Sequence, residues 1–478
     1  MRGRLALLTI VFSSTPGFFA LSGSARAAEI TDVASAFDDD NPFDFRLRVG
    51  YDHMEKRASL KRELELPGAT SVPVFKDLLF SQSRDTLSLR AEISVFQDLM
   101  IYGALPIVLG DSREIRYDQS AGSACIKPEN SGSVQPTCVD ASNSTTVADG
   151  ILPASGYDAT NSGAGFAPGS TLVFRGPARG ASASGGSFAD GLDTLNLGIT
   201  WGVLSQKRDD TKPTWTINLE GDISIGNMMK FDRASPLANH GVSDGLNKLI
   251  ARTSISKRFR YADPYVSFWY QLPFSPRDGS LFIDYGQTNK NAAPQMQAGT
   301  VFGLEGVPWE KPDAQYKVAI QVQGRVEAHF DGRGYSEGWE MFATSPALKC
   351  DPVWNPSCDP TAMNNRPNAY QGQAFTGITQ IENYSTLGAD VALVVQAGRY
   401  VHFHLGFNYS HDQSHFITND DVGVALDSTC STAISGGRVH NPCDFNPSYR
   451  PIVNQIGRRY KVDNVDLYNL SLWAQLMF

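Results

Sequence analysis

The chain ends on Tyr468-Asn469-Leu470-Ser471-Leu472-Trp473-Ala474-Gln475-Leu476-Met477-Phe478. The even positions are Tyr, Leu, Leu, Ala, Leu and Phe, and the odd ones are mostly more polar. Successive side chains of a β-strand point to opposite faces, so this alternation predicts a strand with one apolar face. Its length fits the roughly 9–11 residues of a strand that crosses a bilayer at a tilt. The apolar face is therefore expected to lie against lipid.

Working back from that end, the same alternation recurs through the chain. Apolar faces run Phe43-Phe45-Leu47-Val49-Tyr51, Leu87-Leu89-Ala91-Ile93-Val95 and Leu195-Leu197-Ile199-Trp201-Val203. Others are Trp215-Ile217-Leu219-Ile223-Ile225, Val266-Phe268-Tyr270-Leu272, Tyr316-Val318-Ile320-Val322-Val326 and Val401-Phe403-Leu405-Phe407-Tyr409. Weaker candidates at 100–109, 247–258, 293–307 and 384–396 bring the expected number to about twelve. The connections alternate between short turns (97–98, 207–210, 260–264, 308–314, 397–399) and long loops (53–82, 110–190, 229–246, 275–292, 331–378, 413–460).

The terminal strand resembles the C-terminal strand of Gram-negative outer-membrane β-barrels, whose assembly machinery reads a terminal aromatic. The resemblance implies an all-β, antiparallel transmembrane barrel in the outer membrane, with long extracellular loops and short periplasmic turns. It also implies two partners, outer-membrane lipid and the assembly machinery that receives Phe478. Aromatic girdles are expected at Trp201, Trp215 and Tyr316 on the periplasmic side and at Tyr51, Phe274, Tyr409 and Tyr468 on the other.

The N-terminus agrees with export. Arg2 and Arg4 precede an apolar stretch, and Ala25-Arg26-Ala27 follows, which is the order of a secretory signal peptide cleaved after Ala27. The expected organisation is a signal peptide over 1–27, a short periplasmic segment over 28–42 and a barrel over 43–478, with a long extracellular insertion at about 110–190.

Composition closes off other classes. The 478 residues carry 41 basic and 50 acidic side chains, a net charge of −9, and only 19% are charged. Such a chain is too apolar to be disordered. After the first thirty residues no apolar run approaches the roughly 18 residues of a spanning helix. The acidic balance, without a basic stripe, excludes a nucleic-acid partner. Cys125, Cys138, Cys350, Cys358, Cys430 and Cys443 form three close pairs in long loops. Their spacing lacks the tight groupings of zinc sites, and an extracytoplasmic chain favours disulfides, most simply Cys125–Cys138, Cys350–Cys358 and Cys430–Cys443.

If the apolar faces meet lipid, the alternate residues face the lumen. The expected pore-lining set is Arg46, Arg48, Arg90, Glu92, Glu220, Asp222, Arg252, Arg325, Glu327, Asp390, His402 and His404, mixed in sign. A barrel of about twelve strands is narrower than the 16–18-stranded porins. Its opposite charges either pair into a seal or segregate across a water-filled eyelet, and both readings stay open. The leading expectation is a channel or facilitator for small hydrophilic or charged solutes. The alternative is a sealed barrel serving as a structural, surface-binding or envelope-assembly component, with polysaccharide export or surface motility as examples.

Catalytic and metal signals are weak. The run Ser410-His411-Asp412-Gln413-Ser414-His415 has the residue types of a hydrolase, but triads converge from separate segments. His402 and His404 share a face without a third ligand nearby in sequence. Asp38-Asp39-Asp40 and Asn419-Asp420-Asp421 have oxygen donors for calcium but read more simply as solvated loops. No enzymatic activity and no cofactor is expected.

Overall fold

A computed structural model describes residues 28–37, 43–64, 72–119, 138–232, 235–282, 293–348, 375–421, 433–435, 438–440 and 449–478. Twelve antiparallel strands form a closed barrel. In chain order they are β1 (Phe45–Glu63), β2 (Val74–Phe96), β3 (Leu99–Tyr117), β4 (Thr194–Leu204), β5 (Thr214–Ser224) and β6 (Leu246–Ser256). They continue as β7 (Ala262–Pro276), β8 (Gln297–Lys311), β9 (Tyr316–His329), β10 (Tyr384–Ala397), β11 (Val401–Asp412) and β12 (Tyr460–Met477). Each pairs with its neighbours in sequence, and β12 returns to β1. The closing register sets Arg48 opposite Gln475 and Tyr51 opposite Leu472. Phe45 and Phe478 exchange both backbone hydrogen bonds, at 3.2 and 2.8 Å, so the terminal residue completes the last rung.

The alternation read from the sequence is the alternation of the wall. Leu197, Ile217, Leu219, Phe268, Val322, Val391, Leu405 and Leu470 all lie exposed on the outer surface. So do Trp201, Tyr316, Tyr51, Phe274, Tyr409 and Tyr468 near the strand ends, whereas Trp215 is half-buried with its indole N–H on Thr253. An unbroken apolar belt on a closed sheet is stable only in lipid, where every backbone polar group must be satisfied within the protein. Leu472, 52% exposed at the middle of β12's outer face, tests this. Leu472→Arg is expected to destabilise the barrel by about 2–4 kcal/mol in phospholipid vesicles, the cost of a cation at the bilayer midplane. Equilibrium unfolding would measure it, and an unchanged free energy would remove Leu472 from the lipid face.

The strands β1, β2, β3 and β12 are longer than expected. The loop anticipated at 53–82 shrinks to 64–73, because β1 runs to Glu63 and β2 begins at Val74. Beyond the membrane the pattern inverts: Ala58 and Leu60 on β1, and Leu78 and Phe80 on β2, put apolar side chains on the inner parity. They contribute to a hydrophobic core with Ile115, Ile151, Phe174, Phe342 and Tyr460, which builds a cap over the extracellular end. The insertion between β3 and β4 and a short helix α1 (Trp339–Thr344) between β9 and β10 both supply this core. Of the six cysteines only Cys138 is described, as a buried residue of this insertion. The proposed pairings otherwise involve positions outside the described residues, as does Asp38-Asp39-Asp40.

Candidate functional site: the lumen and its strap

The first described residues, expected as a periplasmic segment, lie inside the barrel. Residues 28–36 cross the periplasmic mouth as a strap. At one side Ser35 Oγ accepts from the Asp98 amide at 3.0 Å and from Arg208 at 3.2 Å, and the Ala36 amide donates to Phe96 O at 3.2 Å. Midway, Ala34 packs on Met100 and Tyr102, and Asp32 accepts from Arg46 Nη1 at 2.7 Å. At the far wall Thr31 Oγ1 is 2.7 Å from Ser256 Oγ, and the Glu29 amide donates to Glu305 Oε2 at 3.2 Å. Glu29's carboxylate lies 3.2 Å from His404 Nδ1 and accepts from Gln321 at 3.1 Å. Polar residues at 29, 31, 32 and 35 thus meet polar partners on opposite walls, and that complementarity draws the segment inward.

Above the strap lies a cavity of about 520 Å³. Eight of the twelve residues expected to face the lumen line it: Arg46, Arg48, Arg90, Glu92, Glu220, Arg252, His402 and His404. Arg46 is held between Asp44 at 2.9 Å and Asp32, with Glu92 at 4.0 Å. Arg90 pairs with Glu92 at 2.6 Å and stacks on Tyr102 at 3.8 Å. Arg48 donates to Gln475 at 2.8 Å and covers Trp473 at 4.1 Å, whose other neighbour is the His404 ring at 4.9 Å. Glu220 accepts from the Tyr102 hydroxyl at 2.5 Å. Each acid of the cavity wall is therefore matched by a donor. Arg252, exposed to the lumen, has no ion-pair or hydrogen-bond partner among the described residues.

Arg325, Glu327 and Asp390 sit nearer the extracellular end and outside the cavity lining. Arg325 reaches Glu327 at 3.2 Å and Asn408 at 3.1 Å, and Asn408 donates to Asp390. Asp222, on β5 beyond Glu220, also stands outside the lining. Above them Lys56 pairs with Glu337 of the loop before α1 at 2.7 Å.

Tyr102, Tyr265, Trp473 and Gln475 line the cavity although the alternation alone did not single them out. Two glycines admit the tyrosines. Gly198 faces Tyr102 and Gly303 faces Tyr265, where an added Cβ would fall 2.2 and 2.6 Å from the rings. A glycine opposite an aromatic on the inner face was the available signal.

The Ser410–His415 run is divided by the pleat. Asp412 turns inward to Thr386 at 2.6 Å, while His411 turns outward to Asp466 at 3.0 Å. His415 packs on Tyr384 at 3.8 Å, and burial lowers its pKa from the ordinary histidine range despite the nearby Glu337 carboxylate. Asp420 is buried and accepts from the Gln380 amide at 3.2 Å, a structural use of that acid.

An even-stranded, closed antiparallel barrel with a lipid-facing belt and a polar lumen is a Gram-negative outer-membrane β-barrel protein. No family model and no curated protein matches the chain. Among solved structures, an outer-membrane channel from Pseudomonas putida F1 matches at 8% identity and TM-score 0.35, covering 90% of this chain and 95% of that one. A Pseudomonas aeruginosa FadL homologue matches at 6% and 0.26, covering 91% and 90%. The outer membrane protease OmpT from Escherichia coli matches at 8% and 0.25, covering 94% and 99%.

Proposed function

We propose that this barrel is a channel or facilitator for small hydrophilic or charged solutes, narrowed at its periplasmic mouth by the strap. The observation that carries the reading is the charged cavity of about 520 Å³ in the lumen. Its volume falls in the roughly 300–1,000 Å³ range of small-molecule sites. Its wall acids are matched, and Arg252 is left to meet a passing solute, which favours anionic or zwitterionic species. Proteoliposome swelling with solutes of increasing size is the test. Entry of small sugars, amino acids and organic acids with a sharp size limit is expected; vesicles that stay impermeable despite folded, inserted protein would overturn the reading.

Arg252→Gln should redirect selectivity. A unit charge about 4 Å from a solute contributes between about 1 kcal/mol in bulk water and about 4 kcal/mol at an effective dielectric of about 20. Even the lower value corresponds to about a fivefold change in the permeability of an anion relative to a cation. Equal ratios in wild type and variant would remove Arg252 from the path.

The sealed-barrel reading has its own support in the Arg325–Glu327, Asn408–Asp390 and Lys56–Glu337 contacts and in the cap. On that reading the capped surface is the working part, engaging an envelope or surface partner.

A further inference from the structure

Asp263, the second residue of β7, is 1% exposed, and its carboxylate touches no cation directly among the described residues, with only the Ser256 hydroxyl beside it. Its cross-strand neighbour is Glu305 on β8, also 1% exposed. Two buried carboxylates thus stand side by side at the wall where the strap ends. The cations within electrostatic reach are already engaged, Lys317 with Glu305 and Arg258 with Glu310 at 2.5 Å. Asp263, Glu305 and Glu310 therefore outnumber Lys317 and Arg258 by one negative charge. An unpaired buried carboxylate is costly unless a cation with hydrogen bonds to give is present.

The chain supplies such a group at this place. The Glu29 amide donates to Glu305 Oε2 at 3.2 Å, and Ala28 precedes it by one residue, about 3.8 Å between successive Cα atoms. If the leader is removed after Ala27, the nitrogen of Ala28 becomes an ammonium with three donors.

We propose that Asp263 and Glu305 form the binding site for the mature chain's own α-ammonium group, and that this ion pair fastens the free end of the strap across the periplasmic mouth. Cleavage of the leader hydrolyses the Ala27–Ala28 peptide bond, water supplying the hydroxyl to Ala27 and a proton to Ala28. Export and fastening of the strap are thereby coupled, since the cation that holds its end does not exist before cleavage. The proposal rests on the reading of residues 1–27 as a signal peptide and is independent of whether solutes pass.

The test begins with protein exported from its full precursor. Its intact mass should place the first residue at Ala28; any other first residue overturns the proposal and marks the failure as one of the cleavage reading. The folded protein is then treated with an amine-reactive ester near neutral pH, where an α-amine is far more reactive than lysine because its ordinary pKa is about 7.7–8.0 against about 10.4. Labelling of the N-terminal peptide, followed by mass spectrometry, should be roughly tenfold or more slower in the folded wild type than in Asp263→Asn, the factor expected on losing a charge-assisted hydrogen bond. A wild-type chain refolded with one additional residue before Ala28 displaces the ammonium without touching the wall, and it too should label rapidly. Equal labelling of wild type and this extended chain would overturn the proposal even if Asp263→Asn failed to fold.

Discussion

Removal of residues 28–36 is expected to raise the rate of solute entry into proteoliposomes several-fold while leaving the barrel folded. The strap crosses the periplasmic mouth from the Asp98 and Arg208 side to the Ser256 and Glu305 side, beneath the cavity. Its deletion removes Glu29 and Asp32 from the lumen and leaves Arg46 paired with Asp44 and Glu92. None of the twelve wall strands loses a ladder hydrogen bond, so heat-modifiable electrophoretic mobility should persist. Because Glu29 and Asp32 leave together, the lumen also becomes more positive by about two charges, and anions should gain more than cations. Entry rates indistinguishable from wild type would show that the strap is not the barrier on the periplasmic side.

The second large effect is expected at the other end. Trp339 of α1 is 1% exposed, stacks edge-on against Tyr335 at 4.8 Å, and carries Arg179 at 5.2 Å and Arg113 at 5.7 Å over its ring. Its neighbour Glu340 pairs with Arg179 at 2.9 Å, deep in the cap. Trp339→Ala should cost the cap about 3–5 kcal/mol, the range for truncating a large buried aromatic. The lost ring also removes the surface on which two buried guanidinium groups rest. Since the cap core rests on the extracellular ends of β1, β2, β3 and β12 and takes no residue from β5 to β8, the loss should be local to that end. Amide hydrogen exchange is expected to rise in α1 and in the insertion between β3 and β4, while β5 to β8 stay protected. Uniform exchange across the chain would mean that cap and barrel unfold together; unchanged exchange would mean that Trp339 does not hold the cap.

The barrel was legible because lipid outside and water inside impose opposite demands on alternate residues, and stretches such as Val401–Tyr409 obey both. The same alternation sets the inner face, and Arg48, Arg90, Glu220 and Arg252 line the cavity. Where the inner environment is not water, the signal changes. Ala58, Leu60, Leu78 and Phe80 face the cap core, so the alternation inverts and these strand ends read as loop. Tyr102 and Trp473 are aromatic residues on the inner face, paired with Glu220 and Arg48, and nothing in their type separates them from the lipid girdles. The strap has no period at all. Its place is set by single matches such as Thr31 with Ser256, separated by hundreds of positions in the chain.

The most direct test is the current through single wild-type molecules in a planar bilayer held in a salt gradient. Discrete, low-amplitude steps are predicted, with a reversal potential on the anion-selective side that moves toward neutrality in Arg252→Gln. Protein shown to be folded and inserted that carries no current, both as wild type and without residues 28–36, would contradict a solute path and leave the barrel as a sealed support for its cap.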